Sequence, residues 1–520
     1  MGIQRKYASA FFLLAALAIV LGHSWMFSEI TVPNERSRIY LTISLLDEGE
    51  LAIDSAVVRF GPVNDWARHD GHYYTDKAPG SSFLALIPYA IVRCFSEPGD
   101  WSIQELVNLE RTYLMIPLSL LGLLILLRIL ILLDVRRNAR IVTVGAWLLG
   151  TTALHYSTAF YGHQIVAVCL LAAVHGLLLF DRRTTRRGLS MAYTGCSLGL
   201  AGLTEYQALP LAAAVAVYAV YAVFKHQQRK HLAWFVLGAA PFAVAFLLYH
   251  ASAFGGPLDV SYNHIVSQAI QANHQRGIGG VGLPQWDAVI GSLFSLHRGL
   301  FTTSPIFLWV PFGLVLLHRR MRSLAVVVVV LLSLALLIIF GADVWYAGWS
   351  FGPRLLVPVM GVAMIPIAFA IDRVLDSPPW LRGLVLGAVI VGVAYNELSQ
   401  AVFPELPENA LNPVVDIMIP MFRADIVTPN IISHYFGPTG GATLIPLAIA
   451  LVGALVTATV IFAKGVQTLR GRVMLGLGTL IVPLIVVTFM EARGQTWSDR
   501  DREDWIGLVQ QWQEREGHLR

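Results

Sequence analysis

Residues 116–140 read IPLSLLGLLILLRILILLDVRRNAR, and this stretch decides the fold. An apolar run interrupted by one charge, Arg128, ends in a cluster of Arg136, Arg137 and Arg140. A helix of about 20 apolar residues crosses a bilayer core of roughly 30 Å, and basic clusters mark cytoplasmic loops. The pattern repeats throughout the chain. Of 520 residues, 56% are hydrophobic and 13% charged, and mean hydropathy is +0.63. That composition excludes a soluble enzyme, a disordered chain and a secreted disulfide scaffold. Cys94, Cys169 and Cys196 all sit in apolar stretches and form neither a paired framework nor a metal-type spacing. The net charge of +4 does not indicate nucleic acid, because the basic residues fall in short clusters between apolar runs.

The expected class is an all-α polytopic membrane protein with about 13 transmembrane helices. The first run extends from Tyr7 to Phe27 behind Arg5 and Lys6 and reads as a retained span. The others lie near 108–133, 141–157, 163–180, 188–204, 207–224, 231–253, 300–317, 323–341, 354–371, 383–400, 441–463 and 473–490. With these spans every second loop is basic and falls on the side of Arg5 and Lys6: 136–140, 182–187, 225–230, 319–322, 373–382 and 464–472. Asp134, Asp181, Asp372 and Asp376 are the acids on that side. The positive-inside rule makes it cytoplasmic. The apolar segment Gly80–Phe95 cannot then span without flipping every later loop, so it is expected as a re-entrant or interfacial helix outside. The long loops 28–107, 254–299 and 401–440 fall outside, as does the tail. The organisation expected is one transmembrane domain, 1–491, including the outer loop 28–107, and an amphipathic tail, 492–520, on the outer membrane surface.

The charged strings in these outer loops are the candidates for chemistry. Glu35 begins a helical pattern in Pro33-Asn34-Glu35-Arg36-Ser37-Arg38, where it is either a functional carboxylate or a helix cap. The same loop ends Tyr73-Tyr74-Thr75-Asp76-Lys77-Ala78-Pro79-Gly80. A lysine there suits a lipid phosphate; the alternative is a snorkelling lysine paired with Asp76. Glu205 lies between two apolar runs, where an acid is costly unless used or paired. Arg354 follows Gly352-Pro353 at the mouth of a run and reads as a phosphate clamp or an interfacial anchor. His163 is a substrate contact or a structural histidine. His69, Asp70 and His72 lack a diagnostic metal spacing, and a divalent metal is left open.

Asn34-Glu35-x-Ser37-Arg38 followed by Tyr73-Tyr74-x-Asp76-Lys77-Ala78-Pro79-Gly80 resembles bacterial GT-C-type membrane glycosyltransferases. This is the broad class of protein O-mannosyltransferases and the lipid A aminoarabinose transferase. Tyr156-Ser157-x-x-Phe160-Tyr161-Gly162-His163, the segment Leu293–Phe301 around Arg298, and Trp345–Arg354 are also similar to it. Where the class often has two adjacent carboxylates, this chain has Asn34 before Glu35. The resemblance implies transfer of a sugar, with inversion, from a polyprenyl-phosphate donor to an extracytoplasmic acceptor (glycan, lipid or protein) at a bacterial inner membrane. It implies Glu35 as the catalytic carboxylate, a base or a group that positions the acceptor, and Asp76, Lys77, Tyr74, His163, Glu205, Arg298 and Arg354 as substrate-binding residues. The membrane lipids are the other expected partner. A lipid-linked substrate transporter or flippase without chemistry is the alternative. It calls for charged groups and broken helices near the bilayer midplane.

Overall fold

The computed structural model describes residues 32–182, 185–277 and 279–518. The expected first span, with Arg5 and Lys6, lies outside the described residues. Among those described, nine helices are long and apolar enough to cross a membrane. Gly162–Arg182 is 89% buried by its neighbours and Arg354–Val374 is 83% buried, so these two form the centre. His231–Phe254 is 6% buried and Leu469–Arg493 is 17% buried, which puts both at the rim.

Three expected spans are not of this kind. The helix Arg187–Thr204 is continuous, but its glycines, serines and threonines keep it less apolar. The stretch 141–157 divides into Arg137–Leu149 and Ala153–Thr158. The stretch 300–317 divides into Leu300–Thr303, Pro305–Trp309 and Val310–Arg320. Pro305 lacks an N–H and disfavours helical Ser304, and hydropathy does not register either effect. The two breaks pack together, and a side chain of the Pro379–Val402 helix completes the second. Thr152 N–H donates to Ser304 Oγ at 3.2 Å, and Asn396 Nδ2 donates to Thr303 O at 2.7 Å.

One feature departs from the all-α expectation. Trp66–His69 pairs antiparallel with His72–Thr75. The turn residues Asp70 (φ 47°) and Gly71 (φ 91°) are both left-handed, as a two-residue hairpin turn requires. This hairpin delivers Asp76 and Lys77 directly to the head of the Gly80–Arg93 helix. A Cβ on Gly80 would lie 2.7 Å from the Leu203 carbonyl carbon, so only glycine lets that helix start against the end of Arg187–Thr204. Gly80–Arg93 then runs beside Pro33–Ile43. Ser82 Oγ donates to Arg38 O at 2.8 Å, and Arg93 Nε donates to Asp47 Oδ1 at 2.9 Å. Both its ends are therefore fixed to the first loop, while Ile87, Ile91 and Phe95 remain exposed. The C-terminal helix Asp499–His518 corrects another expectation. Its apolar face meets protein: Trp505 packs on Phe403 and Trp349, and Val509 is fully buried.

Ion pairs define one end of the bundle. Arg136 bonds Asp372 and Asp376, Arg320 bonds Asp134 at 2.7 Å, and His226 bonds Asp181 at 2.7 Å. Arg382 reaches the Lys464 carbonyl at 2.9 Å. The basic loops of the sequence thus assemble together. At the other end, Glu35 is 0% exposed and forms a two-pronged pair with Arg111, Nε to Oε1 at 2.8 Å and Nη2 to Oε2. Phe160 N–H donates to the same Oε1 at 2.6 Å. This joins the first loop to the head of the Ile103–Leu132 span and to the turn before Gly162–Arg182.

Removing one partner of a buried pair leaves an uncompensated charge and costs on the order of 3–5 kcal/mol. Glu35→Gln is expected to lower the unfolding midpoint in detergent strongly, and Glu50→Gln in the same loop to leave it unchanged. Equal midpoints for the two variants would mean that the pair does not hold the loop.

Candidate functional site

The sequence signals at 34–38, 76–81, 163, 205 and 354 converge at the Glu35 end. Arg38 is fully buried and acts as their hub. Its Nη2 donates to Glu205 Oε1 at 2.6 Å, its Nε donates to Asn34 Oδ1 at 3.1 Å, and its Nη1 donates to Ser81. Glu205 is held flat over Gly162, where a Cβ would come within 2.2 Å of its Oε1. Burial raises the Glu205 carboxyl, and Arg38, His163 and Lys77 together more than reverse this, so it stays below the usual carboxylate range. His163 Nδ1 stands 3.8 Å from Glu205 Oε1, too far for a hydrogen bond. The His163 ring also lies within electrostatic reach of Arg354, Arg38 and Lys77.

Lys77 binds two carboxylates, Asp65 at 2.9 Å and Asp76 at 3.0 Å, with its side chain 14% exposed. The Asp76 carboxyl is pushed up to about 6: burial raises it, Lys77 offsets part of the rise, and Asp65 adds to it. Burial disfavours the Lys77 ammonium, but Asp65 and then Asp76 outweigh it and hold the lysine charged. The backbone here is fixed from behind. Ser261 Oγ donates to Asp76 O at 2.7 Å, and Thr75 Oγ1 accepts from Lys77 N–H at 3.2 Å.

Arg354 follows the turn Gly352-Pro353. Gly352 is left-handed (φ 57°), and its Cβ would clash with Thr152. The guanidinium lies 5.4 Å from the Tyr161 ring centroid and within reach of Asp65. Its buried Nε has no acceptor, Asp76 Oδ1 has no donor, and His163 Nδ1 has no partner among the described residues. Buried polar groups are ordinarily paired. Three unpaired ones at this end of the bundle, with Lys77 and Arg354 both within electrostatic reach of His163, make this the candidate site for an anion and a hydroxyl.

Other expected residues are engaged by partners within the protein. Glu35 is fully buried and paired with Arg111. Arg298 is also buried, and its guanidinium donates to the carbonyls of Tyr346, His297, Gly348 and Leu406. It pins three loops together and has no donor directed at the site. Tyr74 packs on Phe254, with centroids 5.2 Å apart. His69 and His72 diverge: His72 bonds Asp54 at 2.7 Å, and His69 sits edge-on to His264. Among the described residues no three His, Cys, Asp or Glu side chains converge as a metal ion would need.

Sequence reading did not find Asp65, Arg111 or the pair Tyr262 and His274, whose rings stack at 4.0 Å beside Lys77 and Asp65. Arg111 carried one usable signal, a basic residue at the end of a span where acids predominate. Asp65, in an irregular loop, carried none.

No family model matches the sequence, and no curated protein matches it. Solved structures do. ArnT from Cupriavidus metallidurans bound to undecaprenyl phosphate is 15% identical, with a TM-score of 0.50 over 92% of this chain and 78% of that one. The apo oligosaccharyltransferase of Archaeoglobus fulgidus is 13% identical, also with a TM-score of 0.50, over 80% of this chain and 57% of that one. At these identities the likeness speaks to fold alone, and the fold this chain shares with both is that of the GT-C-type membrane glycosyltransferases.

Proposed function

We propose that the protein is a membrane glycosyltransferase that moves a sugar from a polyprenyl-phosphate donor to an extracytoplasmic acceptor. The observation that carries this reading is the unpaired trio of Arg354 Nε, Asp76 Oδ1 and His163 Nδ1 around Lys77. A half-buried guanidinium with no carboxylate in ion-pair contact among the described residues and a lysine shared by two carboxylates suit a lipid phosphate, which both cations would bind. Asp65, in the irregular loop, yields Lys77 to that phosphate. The lipid tail leaves along the exposed side of Gly80–Arg93, past Ile87 and Ile91.

Asp76 is the carboxylate assigned to the acceptor, in place of Glu35. The acceptor hydroxyl forms the new bond to the anomeric carbon from the face opposite the phosphate, and its proton passes to Asp76 Oδ1. The bond from the anomeric carbon to the phosphate oxygen breaks, and the electron pair stays on the lipid phosphate, stabilised by Lys77 and Arg354. Inversion follows from attack opposite the leaving group. A flippase reading gains little from the breaks near Gly150 and Ser304. They lie at the site end of the bundle, where Thr152 meets Gly352, and not at its middle.

The chain is read as crossing a bacterial inner membrane about 13 times, counting the two broken stretches and the run 7–27. The site end, with the tail 492–520, then faces outward. Two results are expected. The exposed native Cys94, beside this end, is labelled in whole cells by an impermeant maleimide. A Lys230→Cys reporter in a Cys94→Ser background is not. The reverse pattern would invert the topology.

Lys77→Met and Arg354→Met should each weaken polyprenyl-phosphate binding, measured at equilibrium in detergent, by roughly 10- to 150-fold, corresponding to about 1.5–3 kcal/mol per charge-assisted contact. Wild-type affinity in both variants would remove the phosphate site from this cluster.

Asp76→Asn is expected to bind the donor but lose about 10²–10⁴-fold in transfer rate. A base must be deprotonated, so wild-type kcat/KM, which reports the donor-free enzyme, should fall as pH drops through about 6, the value to which Asp76 is raised there. The variant's residual rate should lack that acid limb. A variant that keeps both its rate and the acid limb would show that another group takes the proton.

A further inference from the structure

We propose that the groove between the helices Ala208–Lys225 and Arg322–Gly341 binds an anionic phospholipid of the leaflet on the basic-loop side. The groove holds about 880 Å³. Its walls are apolar and face outward from the bundle, with Val217, Tyr221, Val326 and Val330 all exposed. Its mouth is cationic. Lys225 closes one helix and Arg322 opens the other, and both side chains are exposed and line the groove.

None of the lining residues is acidic. The carboxylate within reach of Tyr218, Asp181, is already bonded to His226 at 2.7 Å. Neither Lys225 nor Arg322 makes an ion pair with the described residues, whereas Arg136, Arg182 and Arg320 on the same end all do. Between the two helices, Tyr218 Oη donates to Ser323 Oγ at 3.1 Å, bracing the groove just below the cations.

This charge pattern selects the occupant. Basic pockets between membrane helices on the cytoplasmic side suit anionic lipid headgroups, and each Lys or Arg there contributes about 1 kcal/mol. A free phosphate would leave the apolar walls uncovered. A peptide strand in lipid would leave its backbone unpaired. A polyprenyl phosphate serving the proposed reaction needs its headgroup at Lys77 and Arg354, at the other end of the bundle. A two-chain lipid with a negative headgroup satisfies both walls and mouth. The inference does not rest on the glycosyltransferase reading.

The test uses the full-length protein in neutral detergent, titrated with pyrene-labelled phosphatidylglycerol and, separately, phosphatidylcholine. Phosphatidylglycerol should bind more tightly, and added salt should narrow the difference. Lys225→Gln and Arg322→Gln should each weaken it about fivefold and together roughly 30-fold, with phosphatidylcholine unaffected. Val217→Trp with Val330→Trp, which fills the walls, should weaken both lipids. The charge variants alter exposed side chains only, so they decide the matter even where the tryptophan variant does not fold. Three results would overturn the proposal: wild-type phosphatidylglycerol affinity in the double charge variant, no preference between the two lipids, or displacement of the label by polyprenyl phosphate as readily as by phosphatidylglycerol. Failure of the wild type to take up either lipid would mean that the groove is filled from within the chain, which would also overturn it.

Discussion

The pairing of Glu35 with Arg111 and the Phe160 N–H is the constraint on which the site depends. A carboxylate and a guanidinium removed from water tolerate little misplacement, because each must satisfy the other almost completely. The pair fixes the start of the Pro33–Ile43 helix against the bundle, and one turn later that helix carries Arg38. Arg38 can then reach Asn34, Ser81 and Glu205 together. Its bond to Ser81 sets the head of Gly80–Arg93, and with it the position of Lys77 four residues before Ser81. Its bond to Glu205 holds that carboxylate across Gly162, beside His163. A single buried pair thus propagates through side-chain geometry to four sequence segments that share no local structure. On the proposed reading, the acid with the strongest motif signal holds the loop, and Asp76 takes the acceptor's proton.

Much of this was legible because the physics is local. Long uninterrupted apolar runs and the alternation of basic loops depend only on composition within a window, and the expected spans 163–180, 354–371 and 383–400 correspond closely to helices. The string from Tyr73 to Gly80 announced itself by charge density beside Pro79-Gly80. The illegible parts depend on distant partners. Nothing near Glu35 indicates that its counter-charge lies 76 positions on. Arg298 looked like a phosphate ligand because its four acceptors are backbone carbonyls, and every residue type has a carbonyl. The hairpin 66–75 had its turn signal in Asp70-Gly71, but strands of four residues rich in His, Arg and Tyr show no apolar alternation. The breaks at Gly150 and Ser304 escaped because hydropathy averages over them, while the side chains that repair them come from other helices. The tail helix was legible as amphipathic, but its apolar face had two possible covers, lipid or protein, and only the placement of Phe403 and Trp349 distinguishes them.

The charges of the site explain why the trio matters more than the count of ions. Arg38 with Glu205 is a closed pair. Lys77 is shared between Asp65 and Asp76, so one negative charge there is only partly balanced. Arg354 has an aromatic face and, among the described residues, no carboxylate in ion-pair contact, so one positive charge is also only partly balanced. A lipid phosphate placed between Lys77 and Arg354 would pair with the second and compete with the carboxylates for the first. Asp65, 20% exposed, can be resolvated as it gives way, whereas Asp76 at 3% cannot. On the proposed reading, donor binding therefore draws part of the lysine charge away from Asp76 and adds a nearby negative charge, and both effects raise its proton affinity further. A carboxylate so adjusted is a stronger base only once the donor is in place. Proton abstraction from the acceptor would then follow donor binding, an order that arises from two acids sharing one lysine.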